Sequence, residues 1–364
     1  MATQCGIVGL PNVGKSTIFN ALTRAEAATA NYPFCTVDPN TGIVTVPDER
    51  IDFLVSHYKP KKISPSPMTF VDIAGLVAGA SKGEGLGNQF LGHIREVDAL
   101  AHIVRCFDDP EIIHVNGAVN PKNDVELITT ELILKDLDTL EKRLLKSGKK
   151  SRSGDKDAQQ EQDLLMRLKE TLSNGLCART LVLSDKDEPL MKELSLLTRK
   201  PILYVGNVPE DDIQQGNAYS QALMQLAKEE DAECLIISGK IESEIAALPP
   251  DEGALFLAEL GMKETGLARL IRASYKMLGL ITFFTVGEDE VKGWTIKKGT
   301  SAVEAAGKIH SDISRGFIRA EIFRYQDLLE QGTAQAIKEK GLLRLEGKEY
   351  PVQDGDCIYF RFNV

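Results

Sequence analysis

The sequence contains no apolar run near the roughly 18 residues that a membrane-spanning helix needs, so no membrane partner is expected. Its six cysteines, Cys5, Cys35, Cys106, Cys177, Cys234 and Cys357, are scattered and form no Cys-x-x-Cys pair. That spacing offers neither a zinc-ligand pattern nor a disulfide framework, and it suits a reducing cytoplasm. The opening MATQCGIVGL has no basic segment ahead of its apolar residues; it reads as a first strand, and no signal peptide is expected. Positive charge is also in short supply. The 43 Lys and Arg face 53 Asp and Glu, and a formal net charge of −10 favours solubility and gives no reason to expect DNA as a partner, although local basic patches can outvote the total. No internal repeat is present.

What remains is an ordinary globular composition, 43% hydrophobic and 26% charged, in 364 residues, enough for two or three domains. The first part alternates β-branched runs with helical patterns: QCGIVGL, then KSTIFNALTRAEA; GIVTVP and MTFVDIAG; then LGHIREVDALAHIVRCF. This is the logic of a mostly parallel α/β sheet. From about Val125 to Leu196 the pattern changes. Ile133, Leu137, Leu140 and Leu144, then Leu165, Leu168 and Leu172, sit at helical spacing on either side of the polar stretch KSGKKSRSGDKDAQQEQ. Two such arms predict an inserted antiparallel helical, coiled-coil-like hairpin; amphipathic helices packed on the main core are the alternative. Sheet patterns resume at RKPILYVGNV and ECLIISGK, and from about Leu280 a compact β-rich unit follows, with one helix at SAVEAAGKIHSDI. The expected division is 1–124 with 197–279 for the nucleotide-binding part, 125–196 for the arm and 280–364 for the last unit.

Gly9-Leu-Pro-Asn-Val-Gly-Lys-Ser16 fits the phosphate-loop pattern G-x-x-x-x-G-K-[ST] without mismatch, with a strand before it and a helix after. Backbone N–H groups of Asn12, Val13, Gly14, Lys15, Ser16 and Thr17 are expected to converge on phosphate oxygens, at the positive end of the following helix. Lys15 would reach the β- and γ-phosphates and the Ser16 hydroxyl would ligate Mg²⁺. Asp72, after an apolar strand and three residues before Gly75, is the expected second Mg²⁺ group, and the Gly75 amide the γ-phosphate sensor. Between them NYPFCTVDPNTG is turn-rich; Thr36 is the expected third Mg²⁺ ligand, with Thr41 its rival, and Cys35 reads as an ordinary loop thiol or a redox-sensitive one.

GLPNVGKST, NYPFCTVDPN, DIAGLVAGASKGEGLGNQFL, the stretch Asn207-Val-Pro-Glu210 and the ending DGDCIYFRFNV together resemble the Obg-related branch of P-loop GTPases, and within it the YchF subfamily. The resemblance runs over essentially the whole chain. It implies an ATPase rather than a GTPase, a C-terminal TGS domain of β-grasp type, and association with ribosomes.

The base pocket agrees in kind. Guanine-specific relatives carry Asn-Lys-x-Asp, whose Asp accepts from guanine N1–H and the 2-amino group. Adenine has neither donor, and an unpaired buried polar group costs about 1–3 kcal/mol. Here Val208 replaces the Lys, and Glu210, one methylene longer and beside Pro209, is not expected to make the planar two-bond grip. Asn207 either accepts from adenine's 6-amino group or braces the loop; the Val208 carbonyl is a second acceptor, and Ser238 and Gly239 close over the ring. A second Asp-Lys-Asp, in LVLSDKDEP, lacks the leading Asn and is set aside.

Leu76 stands where related switch enzymes place a water-orienting Gln. Catalysis must then come from elsewhere: from Asn12, through a bound K⁺ that offsets developing charge, or from a histidine on a loop. His114, in DDPEIIHVNGAVNP, is the first choice and His93 the second. Slow intrinsic hydrolysis is expected. Lys146, Lys149, Lys150, Arg152 and Lys156 at the arm tip, and Lys297, Lys298, Arg315, Arg319 and Arg324 in the last unit, are either solvated faces or contacts for ribosomal RNA or tRNA. The competing readings are an Obg-type GTPase acting in ribosome assembly and a nucleotide-gated binding module with little hydrolysis.

Overall fold

The computed structural model describes residues 3–27, 40–74, 86–151 and 156–363. Among these residues the strands run β1 (Gln4–Val8), β2 (Thr41–Thr45), β3 (Lys62–Ser64), β4 (Pro67–Asp72), β5 (Ala99–Arg105), β6 (Ile202–Asn207), β7 (Glu233–Ile237), β8 (Leu280–Thr285), β9 (Glu290–Lys297), β10 (Phe317–Arg324), β11 (Arg344–Glu346) and β12 (Asp356–Phe362). The chain forms two compact units, Met1–Ile43 with Thr69–Leu270, and Val44–Met68 with Ile271–Val364.

The first unit carries a sheet in the order β2-β4-β1-β5-β6-β7. The pairs β1–β4, β1–β5, β5–β6 and β6–β7 are parallel, with Ile7 opposite Asp72 and Arg105 opposite Asn207. Every residue of β5 and β6 is buried, as befits strands covered on both faces. The order reverses at β1: the chain first builds toward β4 and then crosses to β5, so the loop after β1 opens at the topological switch point, where open α/β sheets bind ligands. The helix α1 (Lys15–Ala27) follows directly.

After α2 (Glu49–Tyr58) and α3 (Leu86–Glu96), the arm is made by α4 (Pro121–Ser151) and α5 (Lys156–Ser173). The helix α4 starts a few residues earlier than the leucine spacing indicates. Pro121 occupies its first turn without losing a needed donor, and Asn120 Oδ1 accepts from Asn123 N at 3.2 Å. Ile133, Leu140, Leu165, Leu168 and Leu172 share one buried cluster with Ala178, Met191 and Leu196, and Leu137 and Leu144 pack against it. Arg143 with Glu161, and Lys169 with Glu141 at 3.3 Å, hold α4 and α5 antiparallel. At the arm's root the buried Asp136 accepts from Leu197 N and Thr198 N, both at 2.8 Å, and from Thr198 Oγ1 at 2.7 Å. The set-aside Asp-Lys-Asp lies in this region outside any strand, where Asp187 accepts from Ser184 N and pairs with Arg167.

The second unit holds a mixed sheet in the order β11-β10-β12-β8-β9-β3. Ala302, Ala305 and Ala306 of the helix Ala302–Ile309 pack into a core with Phe283, Ile296, Ile322 and Ile358. The segment Val44–Met68, read from the sequence with the nucleotide-binding part, builds with this unit. Ile51 and Leu54 of α2 lie in a cluster with Phe284, Val291 and Phe323, and β3 pairs in parallel with β9.

One buried group in the first sheet makes folding sensitive to acid. His102 on β5 is fully enclosed, and burial, with the Arg179 charge adding, pulls its pKa down to about 3. Its folded pKa lies below the unfolded value of about 6.5, so the unfolded chain binds more protons between these values and stability is lost as pH falls through that window. Between pH 7 and 5 the loss attributable to His102 is about 2 kcal/mol. Urea titrations at the two pH values should show that difference shrink by about this amount in His102→Gln.

Candidate nucleotide-binding site

The loop after β1 turns sharply. Asn12 adopts φ 63° and Gly14 φ 90°. A Cβ on Gly14 would stand 2.2 Å from Asn207 Nδ2, so both the backbone angle and the space demand glycine there. Lys15 begins α1 and Gly14 O accepts from Ile18 N at 3.0 Å, so the helix starts inside the phosphate motif. Val13 is buried and anchors the loop, whereas the side chains of Ser16 and Thr17 are exposed at the helix N-terminus.

Two other strands of the sheet, β4 and β6, deliver their last residues to this loop. Asp72 ends β4, and its carboxylate accepts from Lys15 Nζ, an ion pair of which both side chains are largely enclosed. Asn207 ends β6. Its Nδ2 donates to Val13 O at 2.9 Å and its Oδ1 accepts from Gly239 N at 2.9 Å. Of the two roles open to Asn207 in the sequence, the geometry shows the brace: its amide ties the phosphate loop to the β7 exit. Val208 is buried and donates from its N to Ile237 O at 2.9 Å. Ser238 is buried too, and its Oγ has no hydrogen-bond partner among the described residues. Glu210 opens a short 3₁₀ turn, with its carboxylate 3.4 Å from Lys240 Nζ.

The strand β5, between β1 and β6, leads into the loop that holds His114. The His114 ring is buried. Its Nδ1 accepts from Asn116 N at 3.2 Å, which leaves the proton on Nε2, 3.0 Å from Asp124 Oδ2 in the first turn of α4. Burial pushes the Asp124 carboxyl above its ordinary range, opposed by His114, Asn116 and the Arg105 charge. Asn12 Nδ2 donates to Ile113 O at 3.1 Å, so this loop lies against the phosphate loop. His93 sits on an exposed face of α3. Thr36 and Cys35, and likewise Gly75 and Leu76, fall outside the described residues, as do Arg152 and the side chains of Lys149, Lys150 and Lys156. Sequence reasoning does not single out Arg105, Asp124 or Lys240; a charged residue closing the apolar run AHIVR is the one visible sign of the first.

A hydroxyl at a helix N-terminus and a carboxylate at the next strand end are hard oxygen donors, a set that fits Mg²⁺. The whole arrangement suits a nucleoside triphosphate: amides and a lysine for phosphates, a cation site beside them, and the loops after β6 and β7, tied together by Asn207, for a base.

Comparison with known proteins decides the family. The model described as 50S ribosome-binding GTPase matches residues 4–142, and a C-terminal model named for YchF GTPases, described as a protein of unknown function, matches 280–363. A curated relative from Bacillus subtilis (strain 168), the ribosome-binding ATPase YchF, is 55% identical over 100% of both chains. Its namesake from Escherichia coli O157:H7 is 50% identical, again over 100% of both. The chain belongs to the YchF family. Among solved structures, the Schizosaccharomyces pombe YchF GTPase superposes with a TM-score of 0.91 at 39% identity, covering 99% of this chain and 97% of that one. The YchF-family fold therefore comprises a P-loop GTPase-type α/β domain and a YchF C-terminal domain.

Asn207→Ala would leave Val13 O and Gly239 N without their partner. Each orphaned group costs about 1–3 kcal/mol, so nucleotide affinity should fall at least about tenfold. Titration with a fluorescent nucleotide measures this directly; unchanged affinity would remove Asn207 from the binding machinery.

Proposed function

We propose that the chain is a slow ATP-hydrolysing switch that associates with the ribosome, at its large subunit, and modulates translation or a stress response. The observation that carries the nucleotide choice is the state of Glu210. The residue nearest in sequence to the guanine-gripping Asp is turned toward Lys240, and Asn207, the other polar group of that motif, is spent on the brace. Glu210 is then not set for guanine's two donors, while adenine, acting through its 6-amino group, needs only acceptors such as the Val208 carbonyl. The family names of the relatives point the same way. Binding competition should give ATP at least about tenfold tighter than GTP, a difference of about 1.4 kcal/mol. GTP binding as tightly as ATP would return the chain to the Obg-type GTPase reading.

In this reading Ser16, Asp72 and Thr36 would hold Mg²⁺, whose contribution when bound would be to offset negative charge on the phosphates. Lys15 transfers its contact from Asp72 to phosphate oxygens, the amides from Asn12 to Thr17 cradle them, and the Gly75 amide senses the last of them. His114 orients the attacking water after its ring turns away from Asp124 and Asn116, with Nδ1 as the acceptor. Asn12 is the residue through which K⁺ would be held. His114→Ala is expected to lower turnover at least about tenfold with ATP affinity kept, as read by multiple-turnover phosphate release. A parent rate in that variant ends the role of His114, and a negligible rate in the parent favours the binding module.

The arm tip and the C-terminal unit, read as a TGS domain, are the proposed faces for ribosomal RNA or tRNA. In the C-terminal unit Arg315 pairs with Asp312 and Arg319 with Glu321, which moves the weight toward Lys297 and Lys298. Charge reversal at Lys149 and Lys150 should weaken co-sedimentation with ribosomes, and more salt should weaken it further. Co-sedimentation blind to both changes would remove the arm tip from the interface.

A further inference from the structure

The loop from Phe107 to Gly117 has an unusual foundation. It carries three exposed aliphatic side chains, Ile112 (37%), Ile113 (79%) and Val115 (50%), so apolar packing does not hold this stretch of it. Polar ties do, and three of them come from one residue. Arg105, the last residue of β5, is 2% exposed. Its Nε donates to Phe107 O at 3.0 Å, Nη1 to Ile112 O at 2.9 Å and Nη2 to Asp109 O at 3.3 Å, and its guanidinium lies 4.5 Å from the Phe107 ring centroid. All three acceptors are carbonyls of this one loop. A buried guanidinium is costly to keep even with three carbonyl dipoles on it and the Asp124 carboxyl near enough to feel its charge. An aliphatic residue would end β5 as well if the strand needed only to be filled.

We infer that Arg105 is a positioning residue for ATP hydrolysis, fixing the Phe107–Gly117 backbone so that His114 is presented beside the phosphate loop. The inference rests on the proposed role of His114. The carbonyl at Ile112 is held by Arg105 and the next one, Ile113 O, by Asn12 of the phosphate loop. His114 follows immediately, its ring on Asp124. With two consecutive carbonyls pinned, the ring can leave Asp124 by side-chain rotation alone, and the backbone that aims it stays in place. A lysine cannot serve instead, since one ammonium on a flexible stem does not reproduce a planar fork reaching three separated carbonyls.

The test is a kinetic cycle on the full-length chain: parent, Arg105→Gln, Arg105→Lys, His114→Ala and Arg105→Gln/His114→Ala. Each is assayed for kcat, KM for ATP and affinity for a fluorescent ATP analogue, with a thermal melt as the check on folding. Arg105→Gln should lose at least tenfold in kcat with KM within threefold of the parent. Arg105→Lys should recover only part of that loss, and the double variant should turn over no more slowly than His114→Ala. A parent-like kcat in Arg105→Gln overturns the proposal and leaves His114 standing if His114→Ala is still impaired. Fully additive losses overturn it too, because Arg105 would then act by another route. A parent rate in His114→Ala removes the reading beneath the proposal, and the proposal falls with it. If Arg105→Gln melts early or fails to bind nucleotide, Arg105→Lys, which keeps the buried charge, decides between the same outcomes.

Discussion

One buried amide joins the two halves of the nucleotide site. Asn207 gives its nitrogen to the phosphate loop at Val13 and its oxygen to the loop after β7 at Gly239. A carboxamide is the smallest side chain that carries both a donor and an acceptor in one plane. An aspartate would lose the bond to Val13 O, and a serine would not span the gap. The contact also explains Gly14, since any side chain at that position would occupy the space of the Asn207 amide. The phosphate loop and the loop after β7 are therefore positioned by a single set of atoms at the end of a fully buried strand.

The strand ends around this amide gather charge. Lys15 with Asp72, Arg105 with its carbonyls, and Asp124 with His114 are each largely withdrawn from water. Isolated, any of these charges would be expensive there, and each is matched by an opposite charge or by oriented dipoles. The matching is uneven in kind. Lys15 and Asp72 face one another, so either can turn to a phosphate or a cation and leave the other a new partner. Arg105 hydrogen-bonds to backbone carbonyls, which are not partners that can be exchanged. The first pair suits groups that must change partners during a reaction cycle. The second suits a fixed support.

Much of this is legible in the sequence because it is local. The phosphate motif, the Asp at the end of an apolar strand and the leucine spacing of the arm each occupy a short window, and the physics acts within that window. What escapes depends on distant pairing. The strand β3 joins the second sheet by setting Ile63 against Val291, and no pattern near Ile63 announces a partner so far along the chain. The strand β10 is hidden for a different reason: a register shift between Phe317 and Arg319 breaks the alternation by which a strand is recognised. Arg105 looks like the polar end of a strand because its partners are backbone carbonyls, which any sequence supplies. The roles of Asn207 stay open in the sequence for the same reason, and only Val13 O and Gly239 N distinguish them.

The base pocket shows how a specificity can rest on what a side chain is already doing. Glu210 has a carboxylate, so composition alone would not forbid a grip on guanine. Its placement does. The residue opens a 3₁₀ turn and faces Lys240, an exposed pair whose attraction in water is worth at most about 1 kcal/mol. That is too little by itself to exclude a base that offers two good donors. The weight must fall on the backbone: the turn begins directly after Pro209, whose fixed φ limits where Glu210 can start, and the brace at Asn207 fixes the strand end before it. The ion pair selects among the positions the backbone leaves available, so discrimination here is mainly geometric and only secondarily electrostatic.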